Sequence, residues 1–219
     1  KRGFIMKKYD KDFENIFGDE LGCHQFLLPY RRAYLIMEAM LNGLNDEIKS
    51  FYEHSPIHSI KGRVKTPESI IDKLYRRGFE VSMNGVLELT DICGLRVICK
   101  YVDDIYDLRA ALIAQPGVEV IRESDYVRNP KPNGYRSYHI ILTIPVGNQR
   151  VPVEIQIRTI AMDMWASLEH NLYYKNDHEK KEEIELRLFQ CSQMLVLLDE
   201  EMEDLYKELN ENWKEHRIG

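Results

Sequence analysis

Four branched aliphatic residues, Val151, Val153, Ile155 and Ile157, return at every second position, and Glu154, Gln156 and Arg158 face the other way. A period of two over this length marks a β-strand with one face in a core and the other outside it. Its register is fixed, because a slip of one residue would exchange the two faces. The run before it reads the same way from Tyr135: Arg136, Tyr138, Ile140, Leu142 and Ile144 share one side, and Tyr135, Ser137, His139 and Thr143 the other. A turn-rich segment separates the two strands. If both apolar faces meet the same helices, the polar faces line one surface carrying an aromatic ring, an imidazole, a carboxylate, an amide and a guanidinium. Antiparallel sheets commonly leave one polar face in water, so alternation alone identifies no site. The content says more. Asn133-Gly134 bends the chain sharply before Tyr135, and Lys131 on the same turn presents a cation beside the ring.

Such a sheet needs a core, and 219 residues with 44% hydrophobic side chains supply one for a single sizeable domain. The 30 Lys and Arg against 36 Asp and Glu give a net charge of −6. That is the wrong sign for a protein held mainly by nucleic-acid phosphates, although local basic clusters can still bind anions. Cys23, Cys93, Cys99 and Cys191 form no CxxC and no cysteine-histidine spacing, so neither a zinc site nor a disulfide framework is expected. No apolar run reaches membrane-spanning length, and the opening KRGFIMKKYDKDFENIF breaks into charge too soon for a secretory signal. The expected location is the cytoplasm, with no membrane partner.

Along the chain, residues 1–25 read as a loosely packed lead-in. From Phe26 to about Phe51, Leu28, Ala33, Ile36, Met37, Met40, Leu41, Leu44 and Ile48 recur at helical steps, with Pro29 placed where a helix start tolerates it. Lys61, Arg63 and Lys65 then alternate in extended chain, and a helix opens at Thr66-Pro67-Glu68 with a hydroxyl cap, a proline and an acid. On it Lys73, Arg76 and Arg77 lie three and four apart, so two basic clusters stand ready for a polyphosphate. A strand carrying Leu95, Arg96 and Val97 follows Asp91 and Gly94. A helix from Asp103 stops at Pro116-Gly117, and a short strand runs over 118–122. Residues 161–174 read as a helix with Met164, Trp165, Leu168 and Leu172 on one stripe. Residues 182–213 read as a long helix. The expected fold is α+β: a mixed, largely antiparallel sheet flanked by helices, with N- and C-terminal helices. The core domain is expected over 26–181. The C-terminal helix within 182–219 is expected to drive self-association, as a dimer or a tetramer.

Four stretches then form a pattern: GRVK at Gly62–Lys65, DICGLRV at Asp91–Val97, GYRSYH at Gly134–His139, and EIQIRT at Glu154–Thr159 followed by the Trp165 helix. In this order and spacing the chain resembles the synthetase domain of the Rel-type alarmone synthetases over roughly 26–209. Its length and its ending LDEEMEDLYKEL are similar to the stand-alone small alarmone synthetases. The resemblance implies transfer of the β,γ-pyrophosphate of ATP to the 3′-hydroxyl of GDP or GTP, giving (p)ppGpp and AMP. It implies that Arg63 and Arg96 sandwich the adenine and that Lys65, Lys73 and Arg76 hold the ATP phosphates. By the same resemblance Asp91 and Glu154 would bind Mg²⁺, and Glu154 would receive the proton of the attacking hydroxyl. It further implies that Tyr135 would stack on guanine, with Lys131, His139 and Gln156 addressing the acceptor nucleotide.

The chain departs from that pattern at Asp163. It sits in AMDMW where many relatives have the Asn of AMNFW, a guanine contact, and a carboxylate can still accept the guanine N1–H and N2–H donors. Glu38 and Asn42 likewise stand where some tetrameric relatives carry lysines of a central pppGpp site. Two other functions share the motifs: pyrophosphorylation of the 3′ end of tRNA, with Arg31, Arg32, Arg122 and Arg128 as a landing patch for RNA, and an inactive nucleotide- or RNA-binding module. The paired Asp91 and Glu154 argue against the last, since a pure binder needs no metal pair.

Overall fold

The computed structural model describes residues 2–52, 54–173 and 181–210. The two alternating runs are β4 (Tyr138–Val146) and β5 (Gln149–Thr159), paired antiparallel with Ile140 opposite Ile155 and Leu142 opposite Val153. These residues, with Ile144, Val151 and Ile157, are buried. Burying side chains of this size is worth about 2 kcal/mol each, which holds the register against a slip. With β1 (Ile57–Val64), β2 (Cys93–Cys99) and β3 (Glu119–Asp125) they form a five-stranded sheet in the order β1-β2-β5-β4-β3. The β2–β5 pair is parallel and the other three pairs are antiparallel, so the sheet is mixed and largely antiparallel, as the sequence led us to expect.

One helix covers much of the apolar face. Helix α2 (Glu20–Tyr52) lays Leu27, Tyr30, Ala33, Met37, Leu41 and Leu44 against β1, β2, β5 and β4. Its start differs from the expected one. Pro29 lies inside the helix, not in its first turn, because the chain turns earlier: Gly18 adopts φ +75° and the Asp19 carboxylate accepts the Gly22 N–H at 2.7 Å. The proline removes one backbone bond from a helix whose packing compensates for it. The expected lead-in is itself helical: α1 (Arg2–Phe17) buries Tyr9, Ile16 and Phe17 and packs on α3 and α2.

Helix α3 (Pro67–Arg77) begins as the sequence indicates, with Thr66 Oγ1 accepting from the Ser69 N–H, and ends at Gly78 in the left-handed region. A short α4 (Met83–Leu87) follows, and α5 (Val102–Ile113) buries Ile105, Leu108 and Leu112. Gly62 of GRVK has a packing role, since a Cβ there would lie 2.7 Å from the Tyr34 ring and 2.9 Å from the Gly94 carbonyl oxygen. After β5 come α6 (Ile160–Tyr173) and α7 (Lys181–Leu209). Residues 211–219, the end of the C-terminal helix expected from sequence, lie outside the described residues. Helix α7 docks through polar contacts: Thr159 Oγ1 donates to Asp199 at 2.7 Å, Trp165 Nε1 to the Leu188 carbonyl at 2.9 Å, and Glu203 accepts the Val102 N–H at 3.1 Å. The stripe expected to pack within α6 is split. Trp165 is buried, but Met164, Leu168 and Leu172 are exposed, and so are Met194, Leu197 and Leu198 on α7. Among the described residues no helix is long and apolar enough to cross a membrane.

Candidate active site

Paired residues in neighbouring strands project to the same side, so the register sets the polar residues in rows across the sheet. One row runs Lys61, Arg96, Gln156, His139. The next runs Arg63, Gly94, Glu154, Ile141. The gap in the second row is Gly94, where an added Cβ would meet nothing nearer than the Glu154 carbonyl oxygen at 3.9 Å. A trough therefore separates Arg63 from the Glu154 carboxylate.

At one end of that trough stands Asp91, two residues before β2. The Lys65 N–H bonds the Ile92 carbonyl at 2.8 Å, which sets the Lys65 ammonium 3.0 Å from Asp91 Oδ2. Lys73, on the second turn of α3, reaches the same oxygen. The other oxygen, Oδ1, is buried and has no hydrogen-bond partner among the described residues. Burial pushes the Asp91 carboxyl up, but the Lys73 and Lys65 ammoniums outweigh it and hold the group below its ordinary range. Burial likewise raises Glu154. The His139 ring, with Nδ1 3.8 Å from Oε1, and the Gln156 amide, donating at 3.2 Å, outweigh burial and the nearby Asp91 charge, so Glu154 is also lowered. Both carboxylates are ionised at neutral pH.

Tyr135 differs from the expectation that it begins a strand. The strand starts at Tyr138, and Tyr135 sits in the irregular segment before it, aimed by the predicted bend. Gly134 has φ +91°, its N–H bonds the Lys131 carbonyl at 2.8 Å, and the Asn133 side chain accepts the Tyr135 N–H at 3.1 Å. Lys131 Nζ lies 4.8 Å from the centre of the Tyr135 ring, so cation and ring do stand together. The phenol oxygen is within 2.9 Å of His139 Nε2.

Two residues of this constellation had no assigned role: Arg158 was placed on the candidate surface without one, and Tyr126 was not marked at all. Arg158, at 3% exposure, is the hub. It donates to Tyr135 Oη at 2.5 Å, Gln156 Oε1 at 2.9 Å and Asp163 Oδ1 at 3.3 Å. Its place on the polar face of β5 was the available signal, but alternation does not reveal how many partners a side chain has. Tyr126 packs edge-on to His139 at 5.2 Å and has Lys131 Nζ 4.9 Å from its ring, and no pattern in the sequence marked it. Asp163, at the start of α6, also meets Arg96 at 3.2 Å. Arg63 and Arg76 are exposed.

Among the described residues no group of three or more His, Cys, Asp or Glu could cage a metal ion. Asp91 and Glu154 still suit Mg²⁺, which is commonly held by one or two carboxylates and completed by substrate phosphates, and the unpartnered Asp91 Oδ1 is a hard donor of that kind.

Ionised carboxylates, converging ammonium and guanidinium groups and an aromatic ring gather on one mixed sheet, the kind of groups that suit a nucleotide polyphosphate and its transfer. Residues 62–179 match the model of a region found in RelA / SpoT proteins, and the chain belongs to that family. It is 38% identical to the GTP pyrophosphokinase YwaC of Bacillus subtilis over 84% of this chain and 90% of that protein. It is also 38% identical to the GTP pyrophosphokinase YjbM of the same organism, over 88% and 92%. The fold superposes on the crystal structure of small alarmone synthetase 1 from Bacillus subtilis bound to its product pppGpp, with TM-score 0.78, 37% identity, and 86% and 98% of the two chains covered. The same enzyme bound to AMPCPP gives TM-score 0.72 at 36% identity, over 88% and 100%.

Proposed function

We propose that this chain is a GTP pyrophosphokinase, a small alarmone synthetase that moves the β,γ-pyrophosphate of ATP to the 3′-hydroxyl of GDP or GTP. The observation that carries the reading is the pair Asp91 and Glu154, both held ionised, at a trough kept open by Gly94 and ringed by Lys65, Lys73 and Arg63. The 3′-oxygen bonds to the β-phosphorus, the bond from that phosphorus to the bridging oxygen breaks, and AMP leaves with the oxygen. Such transfers need in-line positioning and charge cancellation more than covalent help. Arg63 and Arg96 clasp the adenine, while Lys65, Lys73 and Arg76 take the phosphates. Asp91 and Glu154 would hold Mg²⁺, which would supply further charge neutralisation. Glu154 accepts the hydroxyl proton. Its lowered pKa makes it a weak base, which suits a loose transition state in which that proton leaves late. Tyr135 stacks on guanine, with Lys131, His139, Gln156 and Asp163 completing the acceptor side.

Self-association belongs to the same proposal. Met194 is 68% and Leu197 67% exposed on α7, beside further apolar residues of α6 and α7, which supports burial against further copies in a dimer or tetramer. The test of function is incubation with Mg²⁺ and ATP labelled at the β-phosphate, offering GDP, GTP or deacylated tRNA. Label in guanosine tetra- or pentaphosphate is expected. Label on tRNA alone replaces the acceptor, and no transfer to any of the three removes the enzyme reading.

A further inference from the structure

Helix α1 has no place in the proposed chemistry, yet among the described residues three of its polar side chains reach α3 or the segment just after it. The Tyr9 hydroxyl donates to Asp72 Oδ1, and Asp12 Oδ2 accepts the Tyr75 hydroxyl at 2.8 Å. Asn15 donates to the Val81 carbonyl just beyond α3 at 3.1 Å. The Tyr9 and Tyr75 rings lie 6.4 Å apart. The other side of α1 is fixed to α2 through an aromatic chain, Phe13–Phe17 at 5.3 Å, Phe17–Phe26 at 5.6 Å and Phe26–Tyr30 at 5.4 Å. The brace is thus tied to the helix that underlies the sheet.

Asp72 and Tyr75 are three apart and share a face of α3, which lies between the core line of Ile70, Ile71 and Leu74 and the Lys73–Arg76 line. With the core line alone, a helix of 11 residues can roll about its axis. A second line of contact stops the roll. The size of the effect is set by leverage: a roll of about 10° shifts a lysine nitrogen, about 8 Å from the axis, by about 1.4 Å. Misplacement of about 1 Å at a reacting group can cost about a hundredfold in rate. Asp72 and Arg76, at i and i+4, are spaced to pair with each other. Among the described residues they form no ion pair, and Asp72 Oδ1 is taken by Tyr9.

We propose that Tyr9 and Asp12 are positioning residues for the donor nucleotide: α1 locks the rotation of α3 so that Lys73 and Arg76 face the ATP phosphates. This rests on the reading of Lys73 and Arg76 as phosphate ligands. The Asp12–Tyr75 contact is too exposed to matter much for stability, since Tyr75 is 55% exposed, whereas Tyr9 is buried. The effect of the contacts is on geometry.

The test is equilibrium binding of the α,β-methylene analogue of ATP together with steady-state kinetics. In the double variant Tyr9→Phe/Asp12→Ala the analogue's Kd and the KM for ATP rise five- to tenfold, with KM for GDP within twofold of the parent. Asp12→Asn restores the parent value when set against Asp12→Ala, because the amide oxygen still accepts the Tyr75 hydroxyl. A role confined to folding lowers the unfolding midpoint but leaves the analogue's affinity for folded protein unchanged, and that result overturns the brace. So does an equal loss for both nucleotides. Should the double variant not fold, Asp12→Ala alone is expected to weaken the analogue at least threefold, and unchanged binding sinks the proposal. Failure of the parent chain to bind the analogue at all overturns the functional reading itself.

Discussion

Asp163 stands 3.2 Å from Arg96, so a residue assigned to the acceptor base is joined to one assigned to the donor base. The same oxygen lies 3.3 Å from Arg158, which in turn holds Tyr135. One carboxylate therefore orders guanidinium groups on both sides of the site. Asp163→Asn keeps the shape and removes the charge. A charge-assisted hydrogen bond is worth about 1.5–3 kcal/mol, so KM for GDP is expected to rise at least tenfold, with a smaller rise for ATP. Steady-state kinetics with each substrate varied in turn measures this. An unchanged KM for GDP would show that the charge of Asp163 plays no part at the acceptor site.

Gly94 offers a test that separates ligand space from protein packing. A Cβ there meets no protein atom closer than 3.9 Å, and glycine inside a strand is otherwise a weakness. Gly94→Ala is therefore expected to leave the melting temperature unchanged or slightly higher. If the trough between Arg63 and Glu154 holds the transferred phosphates, the same methyl group lowers kcat/KM for ATP by tenfold or more. Full activity in this variant would place the phosphates elsewhere.

Most of the sheet could be read from sequence because burial acts directly on alternation: Ile140, Leu142, Val153 and Ile155 had one arrangement that put them all inside. The Thr66 cap was legible for a similar reason, since capping is local chemistry. What escaped was set by distant contacts. Pro29 signalled a helix start, and tertiary packing carried α2 straight through it. The value of α1 depends on Asp72 and Tyr75, more than 60 residues away. Arg158 showed its face but not its hub role, because its partners come from β5, α6 and the segment before β4. The motifs mark residues that the fold brings together, and the structure shows which of their charges are already paired.

Glu154→Gln tests the division between binding and chemistry. The amide keeps a similar shape and leaves Lys65, Lys73, Arg63 and Arg96 in place, so affinity for the α,β-methylene ATP analogue is expected to stay within threefold. Turnover is expected to fall at least a thousandfold, since an amide is a poor metal ligand and accepts no proton at neutral pH. Binding is read by calorimetry and turnover by labelled ATP. A variant that turns over near the parent rate would falsify the proposed role.

The attachment of α7 should depend on pH, and Asp199 gives the sign. Its carboxylate accepts the Thr159 hydroxyl, yet burial pushes the group from an ordinary 3.8 up to about 6, against that hydrogen bond and the Arg136 charge. The folded chain thus holds this proton more tightly than the unfolded one. The stabilisation it brings is complete below about pH 4 and is lost as pH rises through about 6. Burial and the neighbouring Asp103 carboxylate push Glu203, which caps the start of α5, the same way to about 7, so its contribution is likewise lost as pH rises, through about 7. Asp199→Asn keeps an acceptor for Thr159 and never ionises. It is expected to raise the melting temperature by a few degrees at pH 8, where about 1 kcal/mol shifts a chain of this size by about 2–4 °C. At pH 4 variant and parent should melt together. Comparing the two at each pH cancels the other carboxylates, and a difference that stays constant from pH 4 to 8 would mean that Asp199 titrates as an ordinary surface acid.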